Sequence, residues 1–309
     1  MSVSNMTVSF APHIRENIST NRIMLDVIIA LCPAFVASIL IFGGRSALVV
    51  GVCVASCVFF EWAYQKITKR KSTIKDLSAC ITGILLAFNL PETIPLWMAI
   101  FGSAVAIILV KQLFGGMGKN FANPAVTARI VMFMSFPAAM ATWTQLSDAV
   151  SGATPLALIQ SGDLHYLPSM LDMFLGTRGG CLGETSALAL LLGGAYLLIR
   201  RVITWHIPVT FIGTVFLLTA LLGEQPTYQL FAGGLLLGAI FMATDYPTSP
   251  QTNKGRILFG IGAGLLTVLI RVYGSYPEGV SFAILFMNVL VPFINKITLS
   301  KPLGGVKKA

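Results

Sequence analysis

Charge is what this chain has least of. Only 11% of its 309 residues are Asp, Glu, Lys or Arg, while 55% are hydrophobic. An ordinary soluble domain is about 25% charged. A soluble fold with so little charge could not cover its surface, so apolar surface must face lipid. A mean hydropathy of +0.81 agrees. Acidic residues are scarcer than basic ones, 12 against 21. In a soluble protein that excess would raise nucleic-acid binding. Here the basic residues sit in short runs beside apolar segments, as cytoplasmic loops do, and no nucleic-acid partner is expected.

Other absences narrow the chemistry. The only histidines, His13, His165 and His206, fall in separate loops. They form no Ser/His/Asp or Cys/His nucleophile set and read as solvated or interfacial residues. Of five cysteines, Cys32, Cys53, Cys57 and Cys80 lie in apolar segments, and no C-x-x-C pair exists. They read as small packing residues, with no iron–sulfur cluster or other metal expected on this chain alone. No small-residue cleavage site follows the first apolar run, so that run is expected to remain as a spanning helix.

What is present is apolar length. A spanning helix needs about 20 mostly apolar residues. Such stretches run over 23–42, 47–63, 77–90, 94–113, 125–140, 186–198, 207–222, 230–243, 257–272 and 280–294. They predict an all-α integral membrane protein with about ten transmembrane helices. An even number returns the chain to its starting side. On that side lie Arg15, Arg22, Lys66, Lys69, Arg70, Lys71, Lys75, Lys111, Lys119, Arg200, Arg201, Lys254, Arg256, Lys296, Lys301, Lys307 and Lys308. Only Arg45, Arg178 and Arg271 fall opposite, and Arg129 lies inside the fifth stretch. This bias places both termini in the cytoplasm, N-in and C-in.

The organisation that follows is a cytoplasmic segment 1–22, a first five-helix half 23–140, an outer-side insertion 141–185, a second five-helix half 186–295 and a basic tail 296–309. The third stretch ends Ala87-Phe88-Asn89-Leu90-Pro91 and the eighth Ala243-Thr244-Asp245-Tyr246-Pro247. Both are short, both read A-x-[N/D]-x-P, and each is third in its half. Since five is odd, the halves would be inverted repeats, a pattern that often marks a central binding or conduction site. Chance similarity of two Gly-rich helices ending at Pro is the other reading.

Four features carry chemistry. Gly183-Glu184-Thr185-Ser186 precedes an apolar run. It reads as a helix start, with Thr185 or Ser186 as N-cap and Glu184 favoured by the dipole. It also reads as a hydroxyl at a helix N-terminus, where a phosphate is stabilised. Gly115-Gly116-Met117-Gly118-Lys119-Asn120-Phe121-Ala122-Asn123 is either a tight turn with an Asn N-cap or a backbone-approach site for a ligand. It lacks the G-K-[S/T] ending of a Walker A loop. Ser151-Gly152-Ala153-Thr154, before Pro155, reads as a turn. Asp26, Glu61 and Arg129 are ionisable groups inside apolar stretches, and Asp26 is a candidate for an ion pathway.

These residues resemble the D subunit of the Rnf complex, an ion-translocating ferredoxin:NAD oxidoreductase, and are similar to the B subunit of the sodium-pumping NADH:quinone oxidoreductase. The resemblance spans nearly the whole chain. It runs from Pro12-His13-Ile14-Arg15 through Gly116-Met117-Gly118-Lys119-Asn120, Asn123-Pro124-Ala125, Ser151-Gly152-Ala153-Thr154 and Gly183-Glu184-Thr185-Ser186 to Thr244-Asp245-Tyr246-Pro247-Thr248-Ser249-Pro250. It implies covalent FMN on Thr185 as a phosphoester, with Gly183, Glu184 and Ser186 around it, installed by a flavin transferase from FAD. It also implies a non-covalent riboflavin, for which Gly116, Gly118, Asn120 and Asn123 are the candidate pocket. Ser151-Gly152-Ala153-Thr154 resembles the flavin acceptor of the partner G subunit and nominates Thr154. Thr185 is preferred because the family's acceptor is the Thr of G-E-T-S.

The expected function is then a flavin-carrying membrane subunit of a sodium or proton pump. It would sit in a bacterial or archaeal cytoplasmic membrane with Thr185 near the outer face. Other subunits of the complex would be its partners, and it would not be catalytic alone. A solute channel or transporter and a scaffold without redox function are the competing readings. A flavin on Thr185 separates the first reading from the other two.

Overall fold

The computed structural model describes residues 19–142, 154–274 and 278–299. Pro12-His13-Ile14-Arg15, Ser151-Gly152-Ala153 and the tail beyond 299 lie outside them. All regular structure among the described residues is helical. Helix α1 (Thr20–Phe42) starts where Ser19 accepts the Arg22 N–H. It ends at Gly43, whose φ of 75° suits glycine and lets α2 (Gly44–Ile67) begin at once. Then follow α3 (Ser78–Phe88), α4 (Leu96–Gln112, π-helical from Val105) and α5 (Pro124–Ser135). Two short helices, α6 (Pro155–Ser161) and α7 (Met170–Leu175), occupy the insertion. The second half holds α8 (Ala187–Ile199), α9 (His206–Leu221), α10 (Leu235–Leu237, continued as π-helical Gly238–Met242), α11 (Asn253–Tyr273) and α12 (Val280–Thr298).

Four of these, α1, α2, α11 and α12, are long and apolar enough to cross a membrane. Large apolar side chains such as Leu40, Leu217 and Phe293 stay exposed, which a soluble surface would rarely allow as a belt. Two stretches depart from the single helices expected. The fifth breaks at Phe136, because Pro137 cannot donate onward. The eighth is split between Pro226–Phe231 and Leu235 by Ala232-Gly233-Gly234, with Gly233 at φ 53°.

Helix α3 has 11 residues. At about 1.5 Å per residue that is about 16 Å, roughly half of a ~30 Å hydrocarbon core. It stops inside the protein, with Phe88, Asn89 and Leu90 all fully buried. Helix α10 is shorter still, and the ends of the two meet where Asn89 Nδ2 lies 3.8 Å from Met242 Sδ. Both short segments are thus broken helices, linked by this buried side-chain contact. Around them, α9 packs along α11. Gly260 and Gly264 of α11 face Thr210 and Thr214 of α9 so closely that a Cβ would overlap them. Close approach of small residues is how helices bind where lipid removes the hydrophobic drive.

Candidate functional site

A helix that ends inside a protein leaves carbonyls without partners. At the end of α3 the G-E-T-S segment supplies them. Gly183 N donates to Phe88 O and Leu182 N to Leu90 O, both at 3.0 Å. Cys181 Sγ donates to Asn89 O at 3.4 Å. Gly183 is required here, since a Cβ would collide with the Phe88 ring. Glu184 turns to the other broken helix. Its Oε2 accepts Gly234 N at 2.7 Å, and Oε1 accepts Cys181 N at 3.2 Å. Gly234 immediately precedes α10, so the carboxylate faces the positive end of that helix. Sequence reasoning assigned Glu184 to the helix that follows it. The fold gives it to α10, fifty residues further along. Ser186 is the N-cap of α8, accepting Ala189 N at 3.3 Å.

That leaves Thr185. It is 1% exposed, and its hydroxyl makes no hydrogen bond to any described residue. The loop before it closes over it. Gly176, at φ 102°, packs on the Thr185–Ser186 backbone, and Gly180 on the Thr185 methyl. Thr154 differs: its hydroxyl caps α6, accepting Ala157 N at 3.3 Å.

Charge gathers around this junction. Arg129 Nη1 donates to Asn89 Oδ1 (2.9 Å) and Ser281 Oγ (3.1 Å). Its Nη2 donates to the Cys181 sulfur and pairs with Glu278. Arg271 donates to the carbonyls of Gln229 (2.6 Å) and Ala232 (3.0 Å). Arg178 Nη2 donates to the carbonyls of Glu184 (3.4 Å) and Phe231. All three guanidiniums are buried. Burial pushes Arg178 below its ordinary pKa, with Glu184 opposing. Glu184 and Glu278 act on all three guanidiniums, and Glu224 lines a further cavity beside Arg271. Ligand atoms of Cys181, Glu184 and Glu278 lie within 4.8 Å of one another. A cation there would meet Arg129 in contact with both the sulfur and Glu278.

The Gly115–Asn123 turn lies elsewhere, beside a cavity of about 230 Å³. Met24, Ile81, Leu85 and Met117 give it apolar walls, and Gly118, Asn120, Asn123, Lys111 and Asp245 add polar edges. Gly116 is not among the lining residues. Asn123 is committed, capping α5 through Oδ1 and donating to Met242 O at 3.2 Å. Asn120 Nδ2 donates to Ala122 O at 3.1 Å. Lys111 and Asp245 were missed by sequence reasoning. Lys111 was counted as a loop charge, and Asp245 was noted only within a repeat. Asp245 lies past the end of α10. Burial pushes its carboxyl up to about 6, against the Thr248 hydroxyl and the Lys111 charge. Lys111 Nζ is itself held by Glu61 (2.8 Å) and Ser78 (2.6 Å).

Asp26 stands apart from both places. It accepts from Tyr196 Oη at 2.9 Å and pairs with Arg200 at 3.2 Å. Its charge is met by a partner rather than left free for an ion.

Several apolar helices, broken helices linked by a buried contact and a lipid-suited surface define a multi-pass membrane protein. More closely, the model of the NQR2, RnfD, RnfE family matches residues 7–304, and the chain belongs to that family. It is 47% identical to the D subunit of the Na(+)-translocating ferredoxin:NAD(+) oxidoreductase complex of Acetobacterium woodii, over 99% of this chain and 98% of that protein. It is 43% identical to the D subunit of the proton-translocating ferredoxin:NAD(+) oxidoreductase complex of Clostridium ljungdahlii, over 94% of each. The D subunit of the ion-translocating oxidoreductase complex of Escherichia coli is 33% identical over 97% of this chain and 99% of that protein.

Proposed function

We propose that this chain is a flavin-carrying membrane subunit of an ion-translocating ferredoxin:NAD oxidoreductase. Family membership and the relatives' names support the place in a complex with other subunits. Two relatives are named for different ions, Na(+) and the proton, so sodium and proton both stay as the translocated ion. The flavin reading rests on one observation. In Gly183-Glu184-Thr185-Ser186, the Thr185 hydroxyl is the side-chain oxygen that bonds to no described residue.

Attachment balances simply. With FAD as donor, Thr185 Oγ1 attacks the FMN-side phosphorus on the flavin transferase. The Oγ1–P bond forms, the pyrophosphate P–O bond breaks, AMP leaves and the hydroxyl proton goes to solvent. The Gly176–Gly180 loop must open for this, because Thr185 is buried. A bound flavin supplies one- or two-electron transfer. Thr185 fixes its place beside the broken helices, and buried arginines set a positive surrounding. A non-covalent riboflavin is proposed for the second cavity. Gly118, Asn120 and Asn123 would lie along it and Met24, Ile81 and Leu85 would pack it, a mix suited to a flat ring with polar edges.

In this reading Thr185 lies at the outer face, close to the covalent-flavin G subunit. Asp26 joins an ion path only if its Arg200 pair opens, and normal pumping by Asp26→Asn would remove it from that path. The deciding test is in-gel fluorescence of the denatured chain coexpressed with a flavin transferase, beside Thr185→Val and Thr154→Val. Fluorescence lost in Thr185→Val alone supports the reading. A dark unmutated chain would favour a transporter or a scaffold.

A further inference from the structure

The three buried arginines at the G-E-T-S junction are not equally occupied. Arg129 spends both terminal nitrogens on Asn89, Ser281, Cys181 and Glu278. Arg271 spends both on Gln229, Ala232 and Gly233. Among the described residues the buried Nε of Arg271 has no partner, but both its terminal nitrogens are engaged. Arg178 uses Nη2 alone, on two carbonyls, and its buried Nε also has no partner among the described residues. A guanidinium offers five N–H donors in a planar fork, so most of its capacity is unspent. It also stands closest in sequence to the acceptor. Its Nη2 reaches the carbonyl of Glu184, the residue before Thr185, and its loop packs on Thr185 itself.

Charge points the same way. Glu278 pairs with Arg129 and Glu224 lines the cavity beside Arg271, while Arg178 forms no ion pair with any described residue. Buried charge without a counter-charge is costly. A phosphodiester carries one negative charge and two free oxygens, and arginine recognises such a group bidentately.

We propose that Arg178 is the positioning residue for the phosphodiester that joins flavin to Thr185. This rests on the covalent-flavin reading above. The phosphodiester supplies the counter-charge that Arg178 lacks, and the unspent donors of Arg178 fix the orientation of the linkage. The modification in turn completes the network, so that the chain is built to be more stable loaded than unloaded.

The test uses the full chain in its complex, coexpressed with and without the flavin transferase, as unmutated, Arg178→Lys and Arg178→Gln proteins. Covalent loading is read by intact mass, unfolding temperature is compared for loaded and unloaded forms, and the phosphodiester ³¹P resonance is recorded native and denatured. Loading should raise the unfolding temperature of the unmutated chain. Arg178→Gln should load several-fold less and lose that rise. Arg178→Lys, which keeps the charge but not the fork, should load at an intermediate level, with its native ³¹P resonance moved toward the denatured position. Full loading, an unchanged rise and an unmoved ³¹P resonance in Arg178→Lys would overturn the proposal and leave the flavin reading intact, even if Arg178→Gln does not accumulate. No covalent flavin on the unmutated chain would overturn both.

Discussion

Glu61 and Arg129 are both charged groups buried among helices, but their surroundings have different logic. Glu61 sits between α2 and α4 with one countercharge, Lys111, at 2.8 Å. Thr73 and Gln65 donate to its remaining lone pairs, and Ser78 accepts from Lys111. The count is one against one, with both groups hydrogen-bonded to further partners. Arg129 belongs to a set of three guanidiniums in which Arg178 and Arg271 each keep a buried Nε without a partner among the described residues, and Arg178 forms no ion pair with any described residue. A balanced, hydrogen-bonded pair in low dielectric holds helices in register. A guanidinium with unspent donors and no ion pair makes sense when something else joins it. The difference separates a charge cluster that belongs to the scaffold from one that belongs to a site.

The sharpest way to break the site is to break its clip. Gly183→Val puts a side chain into the Phe88 ring and pushes Gly183 N and Leu182 N off the carbonyls that end α3. A clash and freed buried carbonyls together cost roughly 4 kcal/mol or more. Little folded protein should then elute as a symmetric peak in detergent. Gly183→Ala should fall between. If Gly183→Val folds normally, the clip is not what holds the two broken helices together.

The scaffold pair predicts a smaller loss with a specific rescue. Lys111→Met leaves Glu61 buried and uncompensated, a cost of about 3–5 kcal/mol. Adding Glu61→Gln removes the stranded charge and should recover most of it. Thermal unfolding of the two variants is the measurement. A double variant no better than the single one would show that Lys111 acts through its place in the cavity wall, not through Glu61.

These two regions were not equally legible. Apolar length alone located α1, α2, α11 and α12, because a spanning helix must be long and uncharged. The shortness of the third and eighth stretches was also visible, since Pro91 and Pro247 close them early. The break at Ala232-Gly233-Gly234 was not, because two glycines in a Leu-rich run do not betray a change of direction. The arginine network was invisible for a stronger reason. Arg178 and Arg271 looked like loop charges, and only folding carries them onto the carbonyls of residues 229–233. Glu184 shows the same limit. Its neighbours in sequence suggested a cap for α8, and its neighbour in space is Gly234.

Thr185→Val and Thr154→Val then compare two hydroxyls with different jobs. Thr154 is an N-cap, and losing it should cost about 1 kcal/mol of stability while leaving any flavin in place. The Thr185 hydroxyl bonds to no described residue, so an isosteric valine in transferase-free protein should cost less than about 0.5 kcal/mol. Unfolding temperatures of unloaded proteins settle the ordering. A larger loss at Thr185 than at Thr154 would mean that its hydroxyl is structural after all.

The last effect concerns Asp245 and has a sign that can be worked out. An ordinary aspartate ionises near 3.8, and burial pushes this one up to about 6. The folded chain therefore holds the proton more tightly than the unfolded chain. Ionising Asp245 lowers stability as pH rises between those values, and the loss is constant above them. Asp245→Asn should match the unmutated chain in acid and be slightly more stable above about pH 6. A ligand that brings an N–H or O–H donor to this wall of the cavity reverses the preference, because a carboxylate accepts better than a carboxylic acid. Riboflavin added to the unmutated chain should bind more tightly as pH rises through that value, and Asp245→Asn should flatten the trend. Affinity measured by fluorescence quenching that ignores pH in both proteins would put the riboflavin donors away from Asp245, and would leave Asn120 and Lys111 as the polar edge of the cavity.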